Sequence, residues 1–217
     1  RGRSRSLPPA EVAERIATLA GAGYREVVLT GIHLGAYGRD LDPSETLTAV
    51  IRRCADERVV ERLRLSSIEP REVTDELITL MGSSGAVCRH LHVPLQSGDD
   101  GILAAMRRDY DAAFFRGLVQ KVQAAVPGVA VGIDVMAGFP GETEAAFANT
   151  LRLVEAMPVA YLHVFPYSRR PGTPAAAMSG QVPEGEKKRR ARILRHLAEE
   201  KRRVFGARFI GEPLTVL

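Results

Sequence analysis

Five short apolar runs, each leading into a loop of glycine and polar residues, constrain this chain more than any other feature. They lie at 26–30 (EVVLT), 63–67, 90–93, 129–135 and 160–165. Runs of this length, rich in Val, Ile and Leu and bounded by turn residues, read as buried strands. Apolar positions at the helical period surround them. Val12, Ile16 and Leu19 follow Pro8 and Pro9 and stop at Gly21 or Gly23. A second helix is predicted from about Pro43 to Cys54, and a third, capped by Thr74, runs through TDELITLM to Gly82. Asp99 or Asp100 caps a fourth carrying Ile102, Leu103 and Met106. A fifth covers about Ala112 to Val126 and breaks at Pro127 and Gly128, and a sixth, capped by Thr143, carries Phe147, Leu151 and Val154. Strands alternating with helices in this way imply an α/β fold with parallel strands and right-handed crossovers. The chain has 217 residues, against the roughly 250 of a closed eightfold barrel, so a partial barrel or an open sheet is expected.

The stretch HLHVPLQSGDDGILAAMRR, from His90 to Arg108, holds a strand, a turn and a helix start in one unit. Pro94 is expected to end its ladder, since proline has no N–H to donate. Gln96, Ser97 and Gly98 then form a polar turn at the strand's carboxyl end, the binding face of barrels and open α/β sheets.

Hydrophobic residues make up 45% of the chain, enough for a sizeable core. The apolar runs fall well short of the roughly 18 residues of a membrane span, and the basic start leads into no apolar signal core. The expectation is a cytoplasmic protein with no membrane association. Cys54 and Cys88 lie far apart and outside any CxxC spacing, so they read as buried free thiols rather than ligands. His90, His92 and His163 can share strand faces, yet no matching carboxylate spacing accompanies them, and they read as buried or hydrogen-bonded rather than as a zinc site.

The formal charge is only +4, but it is unevenly placed. Arg1, Arg3 and Arg5 crowd the start, and Lys187, Lys188, Arg189, Arg190, Arg192 and Arg195 crowd a long helix at 184–205. These ends would attract a polyanion such as RNA. The alternative is a solvated helix face partly paired with Glu184, Glu186, Glu199 and Glu200. The terminal GEPLTVL reads as the first strand of a further domain.

The succession GIHLGAYG, SSIEP, HLHVPLQSG with MRR, DVMAGFPGET and FPYSRRPGTPA resembles the radical S-adenosylmethionine methylthiotransferases that modify transfer RNA. The resemblance covers nearly the whole chain. GIHLGAYG and SSIEP are most similar to the branch acting on N6-threonylcarbamoyladenosine beside the anticodon. It implies a partial radical-SAM barrel at 1–182, a basic helix at 183–210 and the start of an RNA-binding, TRAM-like domain at 211–217. Further implications are S-adenosylmethionine and a four-iron four-sulfur cluster as cofactors, transfer RNA as partner, and an electron donor such as a flavodoxin-like reductant. In that family the cluster's free iron holds the methionine end and delivers the electron that cleaves the sulfonium, and sulfur and a methyl group are then added to the base. The family's three cluster cysteines precede a segment similar to RGRSRS, where this sequence begins. The chain is therefore expected to lack the first strand and the cluster loop, and not to catalyse by itself.

By the same resemblance Gly31, His33 and Tyr37 face the methionine amino group. Glu69 accepts hydrogen bonds from a ribose or amino group, and Gln96 and Ser97 offer an uncharged donor and acceptor set. Asp134 faces the barrel interior. Gly138, Phe139, Pro140 and Gly141 approach the adenine, completed by Phe165 and Tyr167 with Pro166 between them. Each has an architectural alternative: a tight loop, a helix cap, a strand-to-helix turn. Arg169 and Arg170, with Arg1, Arg3, Arg5, Lys187 and Arg190, are the candidates for phosphate contacts, because guanidinium groups fork onto phosphate oxygens; Arg107 and Arg108 are weaker ones. Two other classes stay open on the residues alone: a cluster-free α/β enzyme holding a phosphorylated metabolite at the helix start in GFPGET, and a non-catalytic RNA-binding module.

Overall fold

The computed structural model describes residues 3–214. Strands and helices alternate as predicted, and the described residues divide into two compact units, one at 3–92 with 124–129 and the other at 93–123 with 130–214.

The first unit holds α1 (Pro9–Gly21), β1 (Glu26–Leu29), α2 (Leu47–Asp56), β2 (Arg62–Leu65) and α3 (Asp75–Ser83). β1 and β2 are parallel, with Glu26 opposite Arg62 and Leu29 opposite Leu65. Alternation sends Val27, Leu63 and Leu65 into the core with Ile16, Ile51, Leu77 and Met81 of the helices. Glu26, Val28, Arg62 and Arg64 take the opposite face. α2 starts later than the Pro43 predicted, because the Thr46 hydroxyl accepts the Ala49 N–H at 3.1 Å and makes Thr46 the cap. Short 3₁₀ turns at Leu34–Ala36 and Pro70–Glu72 shape the loops after the two strands.

The second unit contains the carboxyl part of β3 (His90–Gln96), then α4 (Asp100–Ala105), β4 (Ala130–Ala137), α6 (Glu144–Ala156), β5 (Tyr161–Pro166), α7 (Pro174–Ala177) and α8 (Glu184–Ala207). α5 (Ala112–Ala125) separates α4 from β4 in sequence. The sheet order is β3-β4-β5, and β4 and β5 are parallel with Asp134 opposite His163. Val131, Ile133 and Val135 are fully buried. Pro94 does not end β3 as predicted: the strand continues to Gln96. β3 stands at the edge of its three-stranded order, where a sheet tolerates proline. The Pro94 carbonyl instead accepts the buried Tyr110 hydroxyl at 2.8 Å.

α8 is no appendage. It packs on β5 and β4, burying Lys187, Arg190, Ala191, Leu194 and Leu197. The strand predicted at 211–217 is absent over 211–214, and its last three positions lie outside the described residues, as does Arg1. No helix among the described residues is long and apolar enough to cross a membrane.

Candidate functional site at the carboxyl ends of the strands

In the first unit the loop after β1 is tied to the segment before α1. Ser6 donates to Asp40 through its N–H at 2.8 Å and its hydroxyl at 2.6 Å, and the Gly38 N–H donates to the Ser6 hydroxyl at 2.9 Å. The Tyr37 phenol donates to the Leu7 carbonyl at 2.7 Å, so its hydroxyl holds the loop's shape. His33 is half-exposed and is oriented by Glu72, whose Oε1 lies 2.9 Å from its Nε2 and 3.2 Å from Nη2 of Arg39. A Cβ at Gly35 would lie 2.2 Å from Oε2 of Glu72, so glycine is what admits that carboxylate. The other oxygen, Oε2, is buried without a partner. Gly31 is exposed, and Glu69 is half-buried at the end of the SSIEP segment, just before the turn that carries Glu72.

On the face of β1 and β2 away from the core lies an ionic cluster. Glu26 receives Arg64 through Nε at 2.6 Å and Nη2 at 3.1 Å, and Arg62 at 2.8 Å, with the Cys88 thiol at 3.5 Å. The Arg64 hydrogen bond, with help from Arg62 and against burial, holds the Glu26 carboxyl down at about 2. Burial, reinforced by Arg64 and His92, brings His90 down to about 4, so it is neutral at pH 7. Burial pushes both the Cys54 and the Cys88 thiols up. These are two buried, protonated thiols, and an iron–sulfur cluster needs several converging thiolates. The residues of this chain do not fit such a cluster.

In the second unit the loops after β3, β4 and β5 are built differently. Gln96 ends β3 with φ +67, a conformation uncommon for a non-glycine residue and concentrated at functional sites. Ser97 is fully buried and its hydroxyl is committed inside the protein, 3.3 Å from Thr150 Oγ1 and 3.2 Å from the Asp99 N–H. Thr150 also accepts the Gly98 N–H at 2.9 Å. Of the sequence pair, Ser97 therefore stabilises the turn. Asp99, not Asp100, is the cap of α4, accepting the Ile102 N–H at 3.0 Å.

The turn after β4 is strongly braced. Gly138 has φ +77 and donates its N–H to Oε2 of Glu142 at 2.7 Å, and Gly141 (φ +87) donates to the Gly180 carbonyl at 2.9 Å. Phe139 is buried, edge-on to Tyr167 with centroids 5.5 Å apart, in a cluster with Ile102 and Ala146. These two rings, expected as apolar contact and pocket lining, are packed into the core of the second unit. Pro140 is buried, and Phe165 is 50% exposed. Asp134 pairs with Nδ1 of His163 at 3.3 Å, and a Cβ at Gly132 would lie 2.1 Å from the Tyr161 ring, so glycine there makes room for that ring.

Arg3, Arg5, Arg169 and Arg170 are exposed, with Nε of Arg169 bonded to the Ala176 carbonyl at 2.8 Å. Lys187 and Arg190 are not the surface cations that the charge pattern predicts. Lys187 lies with its ammonium 5.2 Å over the Tyr167 ring, and Arg190 is buried against Glu142, Glu144 and Glu186. A helix in register with its own acids reads as basic in sequence while its inward cations are neutralised. Glu72, Thr150 and the partners of Glu142 carried no spacing signal, because each acts through a residue distant in sequence.

The buried Oε1 of Glu142 and the buried Tyr167 hydroxyl have no partner in the second unit. Unpaired buried polar atoms ask for a ligand group or a water.

Residues 1–154 match the family model described as the radical SAM superfamily, well over half of the chain, and the chain belongs to that superfamily. Within it, the whole chain is 42% identical over 219 residues to the threonylcarbamoyladenosine tRNA methylthiotransferase of Bacillus subtilis, covering 48% of that protein. It is 41% identical over 217 residues to the tRNA-2-methylthio-N(6)-dimethylallyladenosine synthase of Thermobifida fusca, covering 44% of it. The chain thus spans about half the length of these curated relatives. Escherichia coli coproporphyrinogen III oxidase, a radical SAM enzyme, shares the fold with a TM-score of 0.65 at 16% identity, over 88% of this chain and 45% of that one. Methylornithine synthase does so with a TM-score of 0.61 at 18% identity, over 93% and 56%. The α/β class with parallel strands, expected as a partial radical-SAM-type barrel, agrees with these neighbours.

Proposed function

We propose that this chain is the S-adenosylmethionine-binding core of a tRNA methylthiotransferase acting at C2 of N6-threonylcarbamoyladenosine next to the anticodon. The observation that carries the reading is positional. Each of the five motifs follows or includes the carboxyl end of its own strand, the face on which α/β proteins bind ligands. The choice of branch rests on GIHLGAYG and SSIEP, since relatives of both branches match at comparable identity.

In this reading one molecule of S-adenosylmethionine would supply the methyl group and another, given one electron by the reductant, the adenosyl radical. The chain's own residues bind and orient S-adenosylmethionine. Taken by itself, the first unit offers His33, held by Glu72, with Glu69, Gly31 and the loop that Tyr37 braces, as groups suited to an amino-acid end. Taken by itself, the second offers Gln96 and the 138–142 turn as groups suited to a nucleoside. Exposed Arg3, Arg5, Arg169 and Arg170 are the cations left for the phosphates of transfer RNA. Cys54 and Cys88, two buried free thiols, do not supply the ligands of the cluster.

A phosphorylated metabolite at the start of α6 is opposed by the charge there. Glu142 and Glu144 flank that helix start, and the Gly138 N–H is already bonded to Glu142, so an anion meets carboxylates rather than free donors.

The test is to express the protein containing this chain in a bacterium lacking its own 2-methylthiolation of both adenosines and to digest its transfer RNA for mass spectrometry. The proposal expects 2-methylthio-N6-threonylcarbamoyladenosine. Appearance of the dimethylallyl product alone overturns the branch, and no methylthiolated nucleoside overturns the activity.

A further inference from the structure

The least expected feature of the second unit is that the basic helix α8 reaches back to the turn at 138–142. Glu142 and Arg190, 4% and 5% exposed, stand at the centre. Nη1 of Arg190 donates at 2.8 Å to the Glu142 carboxylate and at 2.8 Å to its main-chain carbonyl. The same carboxylate oxygen accepts the Gly138 N–H. The guanidinium is completed by Glu186 at 2.8 Å and Glu144 at 3.2 Å, leaving no face for a phosphate. One turn earlier, Lys187 closes over the other side: a Cβ at Gly138 would lie 2.4 Å from its Cγ. The Gly141 N–H is tied to Gly180 in the segment leading into α8.

We propose that Arg190 and Lys187 are positioning residues, which make α8 the brace that sets the backbone shape of the 138–142 turn for nucleoside binding. The idea rests on the reading of that turn as an adenosine site. A glycine-rich turn is conformationally free. Here one guanidinium fixes its last residue at two atoms, and through the carboxylate fixes its first residue too. Arginine's rigid fork holds Nη1 in place through Nε on Glu186 and Nη2 on Glu144, which a lysine point charge cannot do. The sequence's basic run is thereby assigned to the site's architecture.

The experiment compares the full 217-residue chain with Arg190→Lys and, as a control on the same helix, Arg189→Lys. Three quantities are read: thermal melting, hydrogen exchange at the Gly138 amide, and S-adenosylmethionine affinity by equilibrium dialysis. Arg190→Lys keeps the charge beside Glu142 and so retains a cooperative melt. It is expected to speed Gly138 exchange and weaken binding, each by about tenfold, the scale of one charge-assisted hydrogen bond. Arg189→Lys should move neither. Gly138 exchange that is equal in wild type and Arg190→Lys overturns the brace. So does faster exchange with unchanged affinity, which would show that the turn's shape does not matter for the ligand. A wild-type chain that protects Gly138 but binds no S-adenosylmethionine contradicts the adenosine site instead, and the exchange comparison still decides the brace.

Discussion

The two units solve the same problem, presenting loops at strand ends, with different physics. In the first, the two strands carry on the face away from the core a cluster in which one carboxylate, Glu26, serves two arginines and a thiol. In the second, the loops sit on the Phe139–Tyr167 cluster and one buried pair, Glu142 with Arg190. The first arrangement is partly open to solvent: Arg62 and Arg64 keep 38% and 27% of their side-chain surface. The second is almost dry at 6% and 1%. A half-open ionic cluster tolerates loss of a member and responds to pH. A dry pair tolerates little, since removing one partner leaves a charge that water cannot reach.

The strongest way to break the comparison is Arg190→Met. It strands the Glu142 carboxylate in the core and should cost about 4 kcal/mol, read as a lowered urea midpoint with the slope unchanged. A loss below about 1 kcal/mol would mean that the second unit is as forgiving as the first.

Next in size is the acid response of the first unit. His90 and Glu26 have folded values below their ordinary ones, so each contributes stability above its unfolded value that is lost as pH falls. His90 loses its share between 6.5 and about 4, and Glu26 between 4.5 and about 2. The Glu26 share is on the order of 2 kcal/mol after solvent screening. Glu26→Gln should therefore be less stable than wild type at pH 7 and converge with it near pH 2, as followed by urea unfolding at stepped pH. Glu142 sharpens the contrast because its sign is opposite: burial pushes its carboxyl up, against Arg190 and the Gly138 N–H.

Thr150→Val keeps the volume but takes the acceptor from the Gly98 N–H and the partner from Ser97. A loss of about 1.5 kcal/mol is expected, with amide exchange rising at Gly98 and not in the first unit. Smallest is Arg15→Ala on α1, which removes an exposed pair with Glu11 and should change stability by about 0.3 kcal/mol.

The elements were legible in the sequence because period and caps are local. Thr74, Asp99 and Thr143 each cap as their positions suggest. What misled was local information without its context. Pro94 reads as a terminator until its strand is seen at a sheet edge, and Lys187 and Arg190 read as a basic surface until their acids are seen beside them. The site was legible as five motifs on five strand ends. The division of labour within it was not, because whether Ser97 or Gln96 is free depends on Thr150, which follows Ser97 by 53 positions. Glycine gave a further lesson: Gly138 reads as close backbone approach to a ligand, yet the absence of its Cβ makes room for the Lys187 side chain, as that of Gly35 does for the Glu72 carboxylate.

The central claim is that the strand-end loops bind S-adenosylmethionine. Its most direct test is a titration of the isotope-labelled chain with S-adenosylmethionine, followed through backbone amide shifts, beside a parallel titration with inorganic phosphate. The account predicts saturable shifts at Gln96 and across 138–142 with S-adenosylmethionine and none there with phosphate. Shifts at the start of α6 with phosphate alone, or none at these loops with either, would contradict it.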